Sequence, residues 1–374
     1  MAAWLAHRHE VTVLAPRALD EAPVPPGLPY EVKLHPVRRR ARLASAGRAL
    51  RRGWPAQNGL YDLSAVGAAL RSSPAPPSLA ILQLARMQGA VRGLGQMPLA
   101  VDFVDSLSLN FRRRAARDHW WLRPLWLLEA RLMANSERQL MARAELAWVV
   151  SARDRDAILA ESAGGDAERL HVLPVAVNPA ATGSGAAAAL GGSGADRPPA
   201  VVLTGNLGYF PTLEGALWLA RAVWPRLQGR VPGAVLEVAG VRAPNRLRDA
   251  VERCGGRLLD APEDLAAVLA GSTVAVAPLR CGSGVPIKIL EAWAAGIPVL
   301  ATPYAAAGTT GVSGEDFLVA ESAEEWTTAL ARLLEDVGLR ARLAASGRQR
   351  LERDYGETVL RDRLLASVDR MAIA

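Results

Sequence analysis

The chain has 374 residues, half of them apolar and 22% charged, with a formal charge of +7. That length suits two domains of ordinary size, and the balance is that of a soluble globular protein. Two cysteines, Cys254 and Cys281, exclude a disulfide framework and read as reduced thiols in a cytoplasm, and no run approaches the ~20 apolar residues that span a bilayer. The opening "MAAWLAHRHEVTVLAP" lacks the pattern of a signal peptide.

In the first half, "HEVTVLAP", "PLAVDFVDS" and "AELAWVVS" read as strands, with one long helix over 109–143 between the last two. "RLHVLPVAV" is a further short strand ending near Val177. Residues 178–199 are rich in Gly, Ala, Ser and Pro, and they read as a linker. From residue 200 the alternation restarts. "AVVLTGN", "AVLEVAG", "RLLD", "STVAVAPL", "IPVLATP" and "DFLVA" read as strands separated by helices, with two closing helices after them. The pattern predicts two doubly wound α/β domains. The first spans 1–177, with 355–374 packing back on it, and the second spans 200–354.

The start departs from this pattern. A doubly wound domain opens with a central strand and a glycine-rich turn. Here Met1 begins what reads as the tail of the first helix. The expectation is that the innermost strand is missing and that the working protein carries a further βα unit ahead of Met1.

The net charge points to an anionic partner. Basic residues gather in 37–52 and in "FRRRAARDHWWLRPLW" at 111–126. Neither zinc-ligand spacing, nor an RNA-binding aromatic signature, nor a basic zipper accompanies them, so nucleic acid is set aside. The second run mixes arginine with Trp120, Trp121 and Trp126. Two readings stay open for it: a membrane-surface contact, or a helix whose tryptophans pack in the core. His7, His9, His35, His119 and His171 read as structural.

"GSGVPIKILEAWAAGIPV" carries the most chemistry. Lys288 and Lys33 are the only lysines in an arginine-rich chain. Gly282, Ser283 and Gly284 form a permissive loop after a strand, and Pro286 suits a helix start. A helix N-terminus there offers unpaired N–H donors to an anion. Lys288 adds a point charge for a phosphate, and Glu291, on the same face, can accept from ribose hydroxyls. A surface Lys–Glu pair is the competing reading. Gly205 and Asn206 in "TGN" end a strand where backbone can approach a diphosphate, although a Gly-Asn pair alone is also a plain turn. Asp102 reads as a strand-end or capping aspartate. Asp105 reads equally as that or as a carboxylate that binds or deprotonates an acceptor hydroxyl.

"PLRCGSGVPIKILEAWAAGIPVLATP" resembles the nucleotide-sugar signature of GT-B glycosyltransferases of the family 4, or group 1, type. "VVLTGNLGYFPTLEGALWLARAVWP", "RLHVLPVAVN" and "ERDYGETVLRDRLLASVDRM" resemble other segments of that family. "DFVDSLSLNFRRRAAR" resembles its exopolysaccharide-cluster branch. The resemblance implies a GT-B fold with two Rossmann-like domains facing a cleft. It also implies transfer from an NDP-sugar, as co-substrate rather than cofactor, to a glycan or lipid-linked acceptor, with retention and without a metal. Gly205, Asn206, Gly282, Ser283, Gly284, Lys288 and Glu291 would bind the donor; Lys288, and more weakly Asp105, would serve catalysis. The chain departs from the family pattern in Ser283, where many members have glutamate, in Pro286 for arginine, in Val175-Ala176 for Asn-Gly, and in lacking the N-domain glycine loop. Two other readings stand beside the transferase: a nucleotide-binding protein that has lost transfer with its N-terminal part, and a sugar-nucleotide epimerase. The epimerase would need acid/base carboxylates and histidines, which the cleft segments do not offer as a convincing set. The expected location is the cytoplasm, with peripheral inner-membrane contact as the second option above.

Overall fold

The computed structural model describes residues 1–17, 24–36, 39–60, 70, 77–162, 166–177 and 198–373. Two compact units divide it: Met1–Pro174 with Leu360–Ala374, and Val175–Val359. Of the expected linker, 178–197 lie outside the described residues, as do 37–38 of the first basic run.

In the first unit, β1 (Thr12–Arg17) and β2 (Glu31–Pro36) pair in parallel. The strands β3 (Ala80–Gln83), β4 (Leu99–Val104), β5 (Leu146–Val149) and β6 (Leu170–Val172) form a separate four-stranded parallel sheet in chain order. Among the described residues, then, the strands expected to share one sheet form two. Leu99, Val101 and Phe103 of β4 are fully buried, as an unbroken apolar run in a covered parallel strand requires.

The helix expected over 109–143 is two helices, Leu107–Ala115 and Arg123–Arg143, with a short 3-10 turn at Trp120–Leu122. Local chemistry breaks it. The Asp118 carboxylate accepts from the His119 N–H at 2.8 Å, a turn-forming bond that competes with the helix. Pro124 then opens the second helix, where its missing N–H costs nothing. The last helix, Glu357–Ile373, contributes Asp369 to this unit, paired with Arg8 at 2.7 Å.

In the second unit, six parallel strands lie in the order β12-β11-β10-β7-β8-β9. They are β7 (Ala200–Asn206), β8 (Val235–Val241), β9 (Arg257–Asp260), β10 (Val274–Ala277), β11 (Val299–Ala301) and β12 (Leu318–Val319). From β7 the chain winds outward through β8 and β9, then returns to β10 on the other side and winds away through β11 and β12. The order therefore reverses between β7 and β10. One face buries Leu203, Val238 and Trp224; the other buries Trp293, Phe317 and Tyr355. Trp293 stacks on Phe317 with centroids 5.8 Å apart, and a Cβ on Gly347 would lie 2.3 Å from its ring. The helix after β7 begins at Phe210, widens to a π turn over Leu219–Val223, and resumes at Trp224–Arg230. Pro225 accounts for the widening, because it cannot donate in the regular ladder. Three helices, rather than two, close the chain: Ala323–Glu335, Val337–Tyr355 and Glu357–Ile373.

Candidate active site

In doubly wound sheets, ligands bind outside the carboxyl ends of the strands where the order reverses. In the second unit that point lies above β7 and β10. The end of β7 holds Gly205 at φ 131, a backbone that side chains rarely adopt. A Cβ there would lie 3.4 Å from the Lys288 ammonium, so strand end and lysine bound one space. Asn206 follows, and its Oδ1 accepts from the Gly208 N–H at 3.1 Å, closing the turn. The side chain of Asn206 is thereby engaged in the turn, while Gly205 supplies the close approach.

After β10, Gly282 and Gly284 take φ values of 117 and 74. A Cβ on Gly282 would stand 3.4 Å from Pro211 and 3.8 Å from the Tyr209 hydroxyl, which seats the loop against the turn that follows β7. The Tyr304 hydroxyl donates to the Gly282 carbonyl from the other side. Ser283 lies between, half-buried. The helix Ile287–Ala294 then begins, with Pro286 at its cap rather than inside its first turn, and no side chain caps it. The helix Phe210–Trp218, beginning beside it, also has no side-chain cap. Both helices thus start at the carboxyl-end side of the sheet, after β7 and β10, without a side-chain cap.

Lys288 sits in the first turn, partly accessible at the surface but with protein packed about its ammonium. Desolvation pulls its pKa down to about 8 against the opposing pull of Glu291. At neutral pH it is mostly charged. Glu291 is half-buried, and its pKa is raised by desolvation, with Lys288 pulling it down. The described ion pairs do not join the two: each acts on the other as a neighbouring charge. That arrangement is not a closed surface ion pair. Among the described residues, no group of three or more His, Cys, Asp or Glu is placed to hold a metal ion.

Asp102 and Asp105 belong to the first unit. Asp102 is buried at the carboxyl end of β4, accepting from the Val104 N–H at 3.0 Å and from Gln83 Nε2 at 3.2 Å, and desolvation raises its pKa. These bonds hold a bulge at which Val104 takes φ 64, a rare conformation for a β-branched residue. Asp105 follows, half-buried, and its charge helps to raise the pKa of Glu137. Sequence reasoning missed Glu137. It is fully buried in the Arg123–Arg143 helix, accepting from the Ser108 N–H at 3.1 Å and the Ser108 hydroxyl at 2.6 Å, and burial pushes its pKa up to about 7. Tyr209 and Tyr304 were also missed. The aromatic residues following the glycine turn and Thr302 are the only sequence signal they give.

Residues 198–336 match the family model described as glycosyl transferases group 1. The solved structures similar to the whole chain include a sucrose-phosphate synthase from Thermosynechococcus elongatus, at 15% identity and TM-score 0.75, covering 100% of this chain and 92% of that one. A UDP-forming trehalose-phosphate synthase from Burkholderia xenovorans aligns at 13% identity and TM-score 0.70, covering 98% and 100%. Anabaena HepE in complex with UDP aligns at 14% identity and TM-score 0.63, covering 91% and 86%. No curated protein sequence matches the chain.

Proposed function

We propose that this chain, a glycosyltransferase built on the GT-B fold, moves a sugar from a nucleoside-diphosphate sugar to a hydroxyl of a glycan or lipid-linked acceptor. The reading includes retention of anomeric configuration, independence from metal, and a role in bacterial exopolysaccharide or cell-surface polysaccharide synthesis at the cytoplasmic side of the membrane. One observation carries it: Gly205 and Lys288 bound one space where the strand order of the second unit reverses.

In such a transfer the bond from the sugar C1 to the β-phosphate oxygen breaks. The acceptor oxygen bonds to C1 on the same face, and its proton passes to a diphosphate oxygen. Negative charge grows on the leaving diphosphate. Lys288 and the helix N–H groups oppose that charge without any need to reorganise, which is the electrostatic part of catalysis. Glu291, one helical turn along, accepts from the ribose hydroxyls. The backbone at Gly205 gives the diphosphate room that any side chain would fill. UDP is the first nucleotide to test, because structural neighbours bind or release it.

The test is isothermal titration of the protein with UDP, GDP and ADP, followed by the tightest ligand with Lys288→Ala. Loss of a charge-assisted phosphate contact should cost about 1.5–3 kcal/mol, or roughly 10- to 150-fold in Kd. An unchanged affinity in a folded variant would remove Lys288 from the site.

A further inference from the structure

The segment from Arg112 to Arg131 sorts its side chains by chemistry. Trp126 turns inward: it stacks on Phe111 at 5.9 Å, carries the Arg114 guanidinium 4.0 Å over its ring, and donates to Asp118 at 3.1 Å. Trp120 and Trp121 do the opposite and stand 84% and 61% exposed. Leu125, Leu127 and Leu128 follow on the next turns, each almost half exposed. Five large apolar side chains within nine residues thus face solvent beside one helix start, where a folded monomer ordinarily keeps such residues scattered.

The charges around them are equally sorted. Arg112 is held by an ion pair with Glu161, while Arg117, Arg123 and Arg131 lie on the surface. Each carboxylate of the segment is turned in: Asp118 toward Arg114 and Trp126, and Glu129 toward the Ala56 N–H at 2.9 Å. The solvent side of this stretch therefore presents indoles, leucines and guanidiniums with the acids withdrawn. Tryptophan and arginine are the side chains that settle at the boundary between lipid headgroups and acyl chains.

We infer that Trp120, Trp121, Leu125, Leu127 and Leu128, rimmed by these arginines, form a docking surface for an anionic lipid bilayer. Charge complementarity selects that occupant. A basic rim stripped of exposed acids fits a sheet of anionic headgroups, and indoles at such exposure insert to headgroup depth without a matching pocket. No described helix is long and apolar enough to cross a membrane, so the contact is peripheral. The inference deepens the proposed function, since a lipid-linked acceptor would be met at the same surface, but it rests on the first unit alone.

Vesicle flotation with the full chain tests it. Binding to vesicles of phosphatidylcholine with phosphatidylglycerol should exceed binding to phosphatidylcholine alone and should weaken as salt is raised. A Trp120→Ser/Trp121→Ser variant should lose about tenfold or more in partitioning. Arg117→Gln and Arg123→Gln should each lose about fivefold on the anionic vesicles only. UDP titration of the same samples should show no change, so a failure here stays separate from a failure of the donor reading. No binding to anionic vesicles, or binding indifferent to these substitutions, overturns the inference. So does a wild-type dimer that the tryptophan variant converts to monomer, which would assign the patch to a second copy.

Discussion

Replacing Glu137 by glutamine tests the electrostatics of the first unit. Burial raises the carboxyl from 4.5 to about 7, while the bonds from Ser108 pull the other way. A group whose folded pKa is raised contributes stability below its unfolded pKa, and that contribution is lost as pH rises through the folded value. For Glu137 the window runs from about pH 4.5 to about 7. The gap corresponds to on the order of 3 kcal/mol of instability once the group is ionised. Glutamine keeps an oxygen for the Ser108 N–H and turns its amide toward hydroxyls that can accept, so rearranged hydrogen bonds cost about 1 kcal/mol. The variant should therefore melt higher than the wild type at pH 8 and no higher at pH 5. A unit of this size shifts by about 2–4 °C per kcal/mol. Differential scanning calorimetry at the two pH values provides the comparison, with the first-unit transition followed separately because two units need not melt together. A wild type whose transition is no lower at pH 8 than at pH 5, or a variant equally destabilised at both, would refute a buried, titrating carboxyl.

Gly205→Ala should abolish measurable nucleotide binding in calorimetry while the fold survives by circular dichroism, because it both strains the backbone and fills the space before Lys288. Glu291→Gln should weaken nucleotide binding less than Glu291→Ala, since the amide oxygen still accepts from one ribose hydroxyl; equal, wild-type affinities in both would return Glu291 to the surface. Nucleotide affinity should fall as pH rises through about 8, where Lys288 loses its charge, and this fall should be missing from Lys288→Ala.

Much of the second unit was legible because its strands are covered on both faces, so "AVVLTGN" and "STVAVAPL" stand out as apolar runs. Lys288 stood out for a different reason, as one of two lysines in an arginine-rich chain, and the structure places its ammonium beside Gly205. The first unit was harder. β2 does alternate, with Glu31, Lys33 and His35 between Val32, Leu34 and Pro36, but the run is only six residues long and does not stand out, while β3, four residues long, shows no clear period. Glu137 was hidden by its place in a helix that reads as ordinary, because burial depends on which face meets the sheet. The tryptophans of 120–126 left two readings open, since composition gives no sign of which indole turns outward. Structure divides them, with Trp126 packed and Trp120 and Trp121 exposed. Asp102 falls nearer the structural reading, as the residue that fixes the Val104 bulge.

Trp293 bears on the thermodynamics of the site five residues ahead of it. Its ring is held by Phe317, by Gly347 with no space for a Cβ, and by a hydrogen bond from Nε1 to the Asp316 carbonyl at 3.1 Å. The helix that presents Lys288 is thus bolted from behind to the Val337–Tyr355 helix before any ligand arrives. Ordering that helix is a cost met in folding rather than in binding. Nucleotide binding should consequently show a small heat-capacity change, without the large negative value of a segment that folds around its ligand. Loosening the bolt with Trp293→Leu would shift part of the folding cost onto the ligand, lowering affinity through entropy while every contacting residue stayed in place.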